Sequence, residues 1–478
     1  MLGAVALSAT ACSGDEEKPG TVTGGDGAGA MGGASGETPP PAVDPSTPPL
    51  LDPGLGLEPD EPGAPCQGLE CQQQACSGGG KTTISGTVYD PAGSLALYNV
   101  MVYVPNAPLE PLSSGVSCAC EVSGSPIASA ITDSAGRFVL ENAPVGSDIP
   151  LVIQVGKWRR QLTIPAVEAC ADTSVPDQTL TLPKDRSEGD LPRIALTTGN
   201  ADALECLLGK LGIAPSEFTA PEGGGYINYF AGHEGTDRFV DEMNDGARFP
   251  AASALWGSVD TLKQYDVVLL SCEGSEYPDE KGEDAFEAMA EYTNLGGRVF
   301  ASHWHQVWLK EGPEPLPQIA EFVDEEDLND ITGTVVTSFP KGQALSEWLV
   351  NVGASETPGK IDIKRAQYTV ERENPEYAQR WIENDDPPTV QYLSANTPLG
   401  VAPADQCGRV VLSDIHVSGG NDDEDAEDTS DDDIEYPNGC VSTALSPQEK
   451  VLAFMLFDIS GCLVPDAQPP APPPIIVR

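Results

Sequence analysis

The residues of this chain best suited to chemistry are four histidines and a cysteine beside an acid. The histidines are His233, His303, His305 and His416. Three of them follow apolar runs that read as strands: Arg298-Val299-Phe300-Ala301-Ser302 precedes His303 and His305, and Arg409-Val410-Val411-Leu412-Ser413 precedes Asp414 and His416. Val267-Val268-Leu269-Leu270-Ser271 likewise precedes Cys272 and Glu273. Parallel α/β sheets bind ligands outside the carboxyl ends of their strands. In extended chain, His303 and His305 stand two apart and point the same way. His303, His305 and His416 are therefore expected to offer three imidazoles to Zn²⁺, with a fourth position open. A second reading makes the same histidines, with Asp414, general acid–base groups beside a Cys272 nucleophile. A third is structural, with histidines next to Trp304 and Trp308 filling a polar–apolar boundary. For Cys272 the alternative is a disulfide, with Cys206 as partner.

The elements that must carry these residues lie in 190–463. Arg193-Ile194-Ala195-Leu196-Thr197 reads as a buried strand. A helix is expected after it, with Asn200 as N-cap, Gly212 as stop, and Leu204, Leu207, Leu208 and Leu211 on one face. Cys206 falls opposite that stripe. A second helix is expected over 285–293. Ser446 and Glu449 form a capping box, with Pro447 at the first helical position, for a last helix whose apolar residues run from Val451 to Ile459. Alternating strands and helices predict a three-layer α/β domain around a mostly parallel sheet.

Residues 77–185 change period. Ile84-Ser85-Gly86-Thr87-Val88-Tyr89 and Val100-Met101-Val102-Tyr103-Val104 alternate as half-buried strands do. Asp90-Pro91-Ala92-Gly93 and Asp133-Ser134-Ala135-Gly136 are turn sequences beside strands. Short strands follow at 137–140, 151–155 and 160–164, which predicts a small antiparallel sandwich. Trp158, Arg159 and Arg160 make its one basic, aromatic spot, suited to a sugar or an acidic partner, or simply to an edge strand.

These residues carry two resemblances. Ile84 to Asp90 with Asn99 to Val102, then Ala130 to Phe138 with Ala143 to Gly146, resembles a carboxypeptidase regulatory-like domain. That implies a transthyretin-like, carbohydrate-binding-like β-sandwich without peptidase chemistry. Tyr265 to Leu270 with Tyr292 to Phe300 resembles the class I glutamine amidotransferase-like fold, in its trehalose-utilisation type. Amidotransferases place a nucleophilic cysteine in a Gly-x-Cys-x-Gly elbow after the strand matching 298–302. Here Phe300-Ala301-Ser302-His303-Trp304 stands there, so the resemblance implies the fold without the amidotransferase reaction.

Ala9-Thr10-Ala11-Cys12 closes a short apolar run and resembles the cleavage context of a bacterial lipoprotein. As a whole the chain is similar to bacterial lipoproteins that contain a regulatory-like domain. Lipid is expected on Cys12, after a leader (1–12) truncated at its start, since no Lys or Arg precedes the run. Residues 13–76 are rich in Gly, Pro and acids and read as a disordered tether. The tail, 464–478, is Pro-rich and reads the same way. The net charge of −49 over 478 residues excludes a nucleic-acid partner bound by general electrostatics. Residues 421–435 hold ten carboxylates, within an acidic insertion at 421–438. Ca²⁺ is conceivable there, and a solvated charge block is the plainer reading.

Export makes disulfides the default for the cysteines. Eleven remain once Cys12 is lipidated, so at least one thiol is left unpaired within the chain. Cys440 with Cys462 or Cys407 are candidate pairs. Two separate folded units are expected, joined near 183–192. The function expected is that of an exported, lipid-anchored cell-envelope protein, periplasmic or surface-exposed, that binds a carbohydrate or protein partner without catalysis. The alternative is a hydrolase-like enzyme using the strand-end histidines, with zinc.

Overall fold

The computed structural model describes residues 66–324, 328–417, 435–440 and 444–472. Cys12, the tether up to residue 65 and the carboxylate block from Asp422 to Asp433 lie outside the described residues.

The first half contributes eight strands: β1 (Thr83–Tyr89), β2 (Met101–Pro105), β3 (Pro126–Ile131), β4 (Arg137–Glu141), β5 (Gly146–Val155), β6 (Trp158–Val167), β7 (Asp172–Ser174) and β8 (Leu180–Thr181). One sheet runs β4-β1-β7, with β8 also on β1, and the other runs β3-β2-β5-β6. Ile84, Val88 and Leu140 of the first meet Val102, Val104 and Ile153 of the second in one apolar core. The expected antiparallel pattern needs one correction: β7 and β8 pair with β1 in parallel.

The second half adds β9 (Ile194–Thr197), β10 (Phe218–Thr219), β11 (Ile227–Phe230), β12 (Val267–Leu270), β13 (Arg298–Ser302), β14 (Ala320–Phe322), β15 (Asn329–Val335), β16 (Lys360–Ala366), β17 (Val370–Glu373), β18 (Ala378–Asp385), β19 (Pro388–Thr397) and β20 (Gly408–Ser413). Ten of them form a sheet ordered β10-β11-β9-β12-β13-β20-β19-β18-β15-β16. From β10 to β20 every pairing is parallel. From β20 to β16 every pairing is antiparallel. The sheet is therefore mixed, not mostly parallel. The segments between β15 and β20 include hairpins such as β18–β19, which reverse the chain where a crossover helix would have kept it parallel.

Both faces of the parallel part are buried, which explains its unbroken apolar runs. Val267 and Leu269 enter one core with the helix Pro447–Ser460, while Val268 and Leu270 enter another with the helix Glu283–Asn294. Ser446 and Glu449 make the expected capping box reciprocally. The helix after β9 is shorter than expected, spanning Glu205–Lys210 with Leu204 at its N-cap. Asn200 does not cap it: it lies four residues before the N-cap, and its side-chain amide donates to Glu234.

The expectation of two separable units gives way to a single compact unit that contains all the described residues. The core of the first-half sheets runs on into the last helix, where Tyr98 stacks on Phe454 and Trp158 meets Phe457 edge-on. Trp348 donates its indole N–H to the carbonyl of Ala96 at 2.6 Å. Gly156, at φ +55°, turns β5 into β6 directly against the Ser460 carbonyl, where a Cβ would collide. The joint near 183–192 is tied down: Arg159 and Asp190 exchange backbone hydrogen bonds and form an ion pair.

This seam also consumes the basic spot. Trp158 and Arg159 are buried, and the Arg159 guanidinium donates to Asp190, Ser123 and the Glu110 carbonyl. Arg160 is held by Thr181 and Glu188. Trp158 and Arg159 are thereby taken up by the seam, while Arg160 stays partly exposed.

Five disulfides join Cys66–Cys71, Cys76–Cys170, Cys118–Cys407, Cys120–Cys462 and Cys206–Cys440. The pairs Cys440–Cys462 and Cys440–Cys407 are thus corrected, as is Cys206 with Cys272. Cys206 faces away from the sheet, which is why it meets a loop cysteine. The expected unpaired thiol is Cys272. The Cys76–Cys170 bridge, with hydrogen bonds from the Leu69 and Glu70 N–H groups to the Asn106 side chain, draws residues 66–76, which read as tether, into the compact unit. Similarly, Asp466 of the Pro-rich tail is bound by Arg409 at 2.9 Å.

Candidate active site and metal-ligand cluster

β12, β13 and β20 lie side by side and parallel, so their carboxyl ends open on one edge. Ser302 pairs level with Ser413. His303 therefore begins the turn immediately beyond β13, and His416 follows β20 by three residues. Cys272 leaves the end of the neighbouring β12. The Cys272 sulfur lies 3.4 Å from His303 Nδ1. The His303 and His416 rings are 5.1 Å apart. One ligand atom from each of the three lies within 4.8 Å of the others, and all three side chains are buried.

His305 does not join them. The chain does not stay extended after β13: His303 takes a left-handed φ of +45° and opens a 3-10 turn over His303–Gln306. A two-residue step in such a turn swings side chains apart instead of aligning them. His305 consequently faces the other core, where its Nε2 donates to the Ser271 carbonyl at 2.8 Å and its Nδ1 accepts from Trp308 at 3.0 Å. Both ring nitrogens are spent, so the expected trio His303, His305 and His416 is corrected to Cys272, His303 and His416.

Asp414 is also drawn elsewhere. Its carboxylate accepts the backbone N–H and the hydroxyl of Thr369, each at 2.7 Å, and so ties the end of β20 to the approach to β17. Burial pushes its carboxyl up to about 6 despite these bonds. His233 stands outside the cluster, stacked on Tyr277 and paired with Glu280.

Burial sets the electrostatics of the cluster. It pushes the Cys272 thiol up to about 12, against hydrogen bonds to the sulfur from the backbone N–H groups of Trp304 and Gly274. Burial, then His416 and His305, hold His303 well below the usual imidazole value. The Cys272 sulfur and His303 Nδ1 share one hydrogen bond, whose direction follows the tautomer of the ring. The other ring nitrogen, Nε2, is buried and has no hydrogen-bond partner, a state that costs about 1–3 kcal/mol.

Two residues that the sequence did not point to organise this edge. Asp202, in the loop after β9, accepts the Ser302 hydroxyl at 2.8 Å and the Val417 N–H at 2.7 Å. Its carbonyl accepts the Ser271 hydroxyl at 2.7 Å. Lys281 forms a buried ion pair with Glu273 at 2.8 Å and lies over the rings of Trp256 and Trp308. Glu273 is held below the usual carboxylate range; burial opposes this, and His305 and Lys281 overcome it. The signal for Asp202 was available, since it is a carboxylate beyond the carboxyl end of a parallel strand. Lys281 lies in a polar stretch, Pro278-Asp279-Glu280-Lys281, that gives no sign of burial.

No protein-family model matches the chain, and no curated protein matches it. Among solved structures it is similar to a ThuA-like protein from Bacteroides uniformis, at 10% identity and a TM-score of 0.28, over 56% of this chain and 91% of that one. It is also similar to a type II cohesin–X-dockerin complex from Acetivibrio cellulolyticus, at 15% identity and a TM-score of 0.16, over 29% of this chain and 75% of that one. A third likeness is to an exo-β-1,4-mannosidase from an Opitutaceae bacterium, at 9% identity and a TM-score of 0.22, over 47% of this chain and 31% of that one. Scores this low assign neither a shared site nor a shared activity.

Proposed function

We propose that this is an exported protein of the cell envelope that binds a ligand at the strand-end edge and does not transform it. The observation that carries the reading is the placement of Cys272: fully buried, its thiol pushed up by that burial, and just beyond β12 instead of in the sharp turn after β13. A nucleophile needs the thiolate and access for its substrate. The positive-φ turn that resembles an amidotransferase elbow is present, but His303 occupies it. Five disulfides support maturation in an oxidising compartment, and among the described residues no helix is long and apolar enough to cross a membrane. Lipid on Cys12 then supplies the membrane attachment, and Cys12→Ser, behind a complete leader, is expected to move the protein into the soluble fraction. Unchanged membrane fractionation without an acyl mass on the N-terminal peptide would refute the anchor.

The resemblance of 84–146 to regulatory-like domains supports a transthyretin-like sandwich with a carbohydrate or protein partner for the first-half sheets. The test of the non-catalytic reading is the thiol itself. In the native, oxidised protein, iodoacetamide is expected to alkylate Cys272 at least about 100-fold more slowly than in denaturant. Labelling of the native protein at the denatured rate would favour a cysteine-nucleophile hydrolase.

A further inference from the structure

We propose that Cys272, His303 and His416 are the ligands of a zinc-class transition-metal ion. The inference deepens the binding role assigned above to the strand-end edge and rests on it. One thiol and two imidazoles are a soft-to-borderline donor set, which suits zinc and its neighbours and not calcium or magnesium. Three protein ligands leave one tetrahedral position for water or an exogenous group. Tetrahedral coordination at Zn–S of about 2.3 Å and Zn–N of about 2.0–2.1 Å needs donor atoms roughly 3.3–3.7 Å apart. The Cys272–His303 separation of 3.4 Å already meets this. The widest spacing in the cluster, within 4.8 Å, requires a contraction of about 1 Å, within the reach of imidazole ring rotation.

Two further observations point to a ligand. The first is the enclosure of the donor set: all three side chains are buried, His303 only 3% exposed, with its ring 5.1 Å from that of His416. The second is the way Asp202 holds the cluster. It bonds to Ser271, Ser302 and Val417, each the chain neighbour of one ligand. One buried residue thus fixes the three loop origins relative to one another. Outer hydrogen bonds of this kind orient metal ligands and hold their geometry before the ion arrives. Gln448 adds a fourth tie, donating to the His416 carbonyl at 2.6 Å. On binding, the thiol proton passes to solvent and the sulfur lone pair goes to the metal. No oxidant or reductant takes part.

The probe is Co²⁺, added to the metal-stripped full-length protein with its disulfides intact. One equivalent is expected to bind in tetrahedral form, with intense visible d–d bands and a sulfur-to-cobalt charge-transfer band, and Zn²⁺ should displace it. Cys272→Ser should abolish the charge-transfer band, and Cys272→Ala repeats the test without a buried hydroxyl. His416→Ala should weaken binding at least about tenfold, and Asp202→Asn by about 10–100-fold. His233→Ala, outside the cluster, should change nothing. Weak octahedral bands alone, as from surface carboxylates, would overturn the proposal. So would absence of binding, or a charge-transfer band that survives Cys272→Ala. If cobalt fails to bind while Cys272 still resists alkylation, the metal inference falls and the non-catalytic reading stands. Rapid alkylation of the native protein removes the reading beneath both.

Discussion

Asp458→Asn is expected to destabilise the protein by about 3–5 kcal/mol, the usual cost of leaving buried charge without its partner. Asp458 lies on the last helix and pairs with Lys341 at 2.5 Å, and both side chains are almost fully buried. Arg409 of β20 approaches the same carboxylate at 3.7 Å and also binds Asp466. The amide keeps the shape of the side chain and removes its charge. Lys341 is then a buried cation with no counter-ion, and Arg409 keeps only Asp466. The carboxyl of Asp458 is held below its usual range; burial works against this, and Lys341 and Arg409 more than offset it. A carboxylate with a depressed folded pKa contributes stability above its unfolded pKa and loses it as pH falls through the folded value. The gap between wild type and Asp458→Asn should therefore be full at neutral pH and close below about pH 4. Urea unfolding at several pH values measures it. A difference under about 1 kcal/mol at pH 7 would mean that the two cations are solvated or paired elsewhere.

The strands, and the edge that carries the site, were legible because buried parallel strands announce themselves as apolar runs. β9, β12, β13 and β20 were all readable in this way, and so were their carboxyl ends. The antiparallel half of the big sheet was not. β15, β16, β18 and β19 carry mixed polar and apolar residues, and their pairing depends on hairpin geometry that apolar patterning does not record. Cys272, His303, His416 and Asp414 were identified, but their grouping rested on assuming extended chain past Ser302. A single positive φ at His303 reversed that: it turned His305 into the opposite core and brought Cys272 in. Nothing in the sequence marks that residue, since left-handed conformations favour Gly and Asn. Asp202 is marked in the sequence only as a carboxylate beyond a parallel strand; its three bonds to distant loops leave no record in local patterning. The same holds for the seam between the halves. Residues Lys184 to Asp190 look like a linker by composition, whereas pairing of Asp190 with Arg159 makes them part of one body.

That seam gives the other large effect. Cys118 and Cys120 stand two apart in the loop between β2 and β3, yet they reach Cys407, before β20, and Cys462, after the last helix. The closed loops span 289 and 342 residues. Each bridge is worth about 2–4 kcal/mol, chiefly through the entropy it removes from the unfolded chain. Cys118→Ser with Cys120→Ser is therefore expected to lower the melting temperature by on the order of 10 °C. The seam should hold at room temperature, because Trp158 on Phe457, Tyr98 on Phe454 and the Lys157–Asp266 ion pair remain. Proteolysis should then open at 106–125, which loses its two covalent ties while the strands on either side keep their pairing. An unchanged melting temperature would show that the apolar seam alone holds the halves together. Because the two cysteines are so close in sequence, the crossed pairing, Cys118 with Cys462 and Cys120 with Cys407, would close loops of nearly the same length and give the same melting curve. Only non-reducing peptide mapping separates the two. Recovery of the crossed peptides would leave the stability argument intact while contradicting the arrangement of the seam.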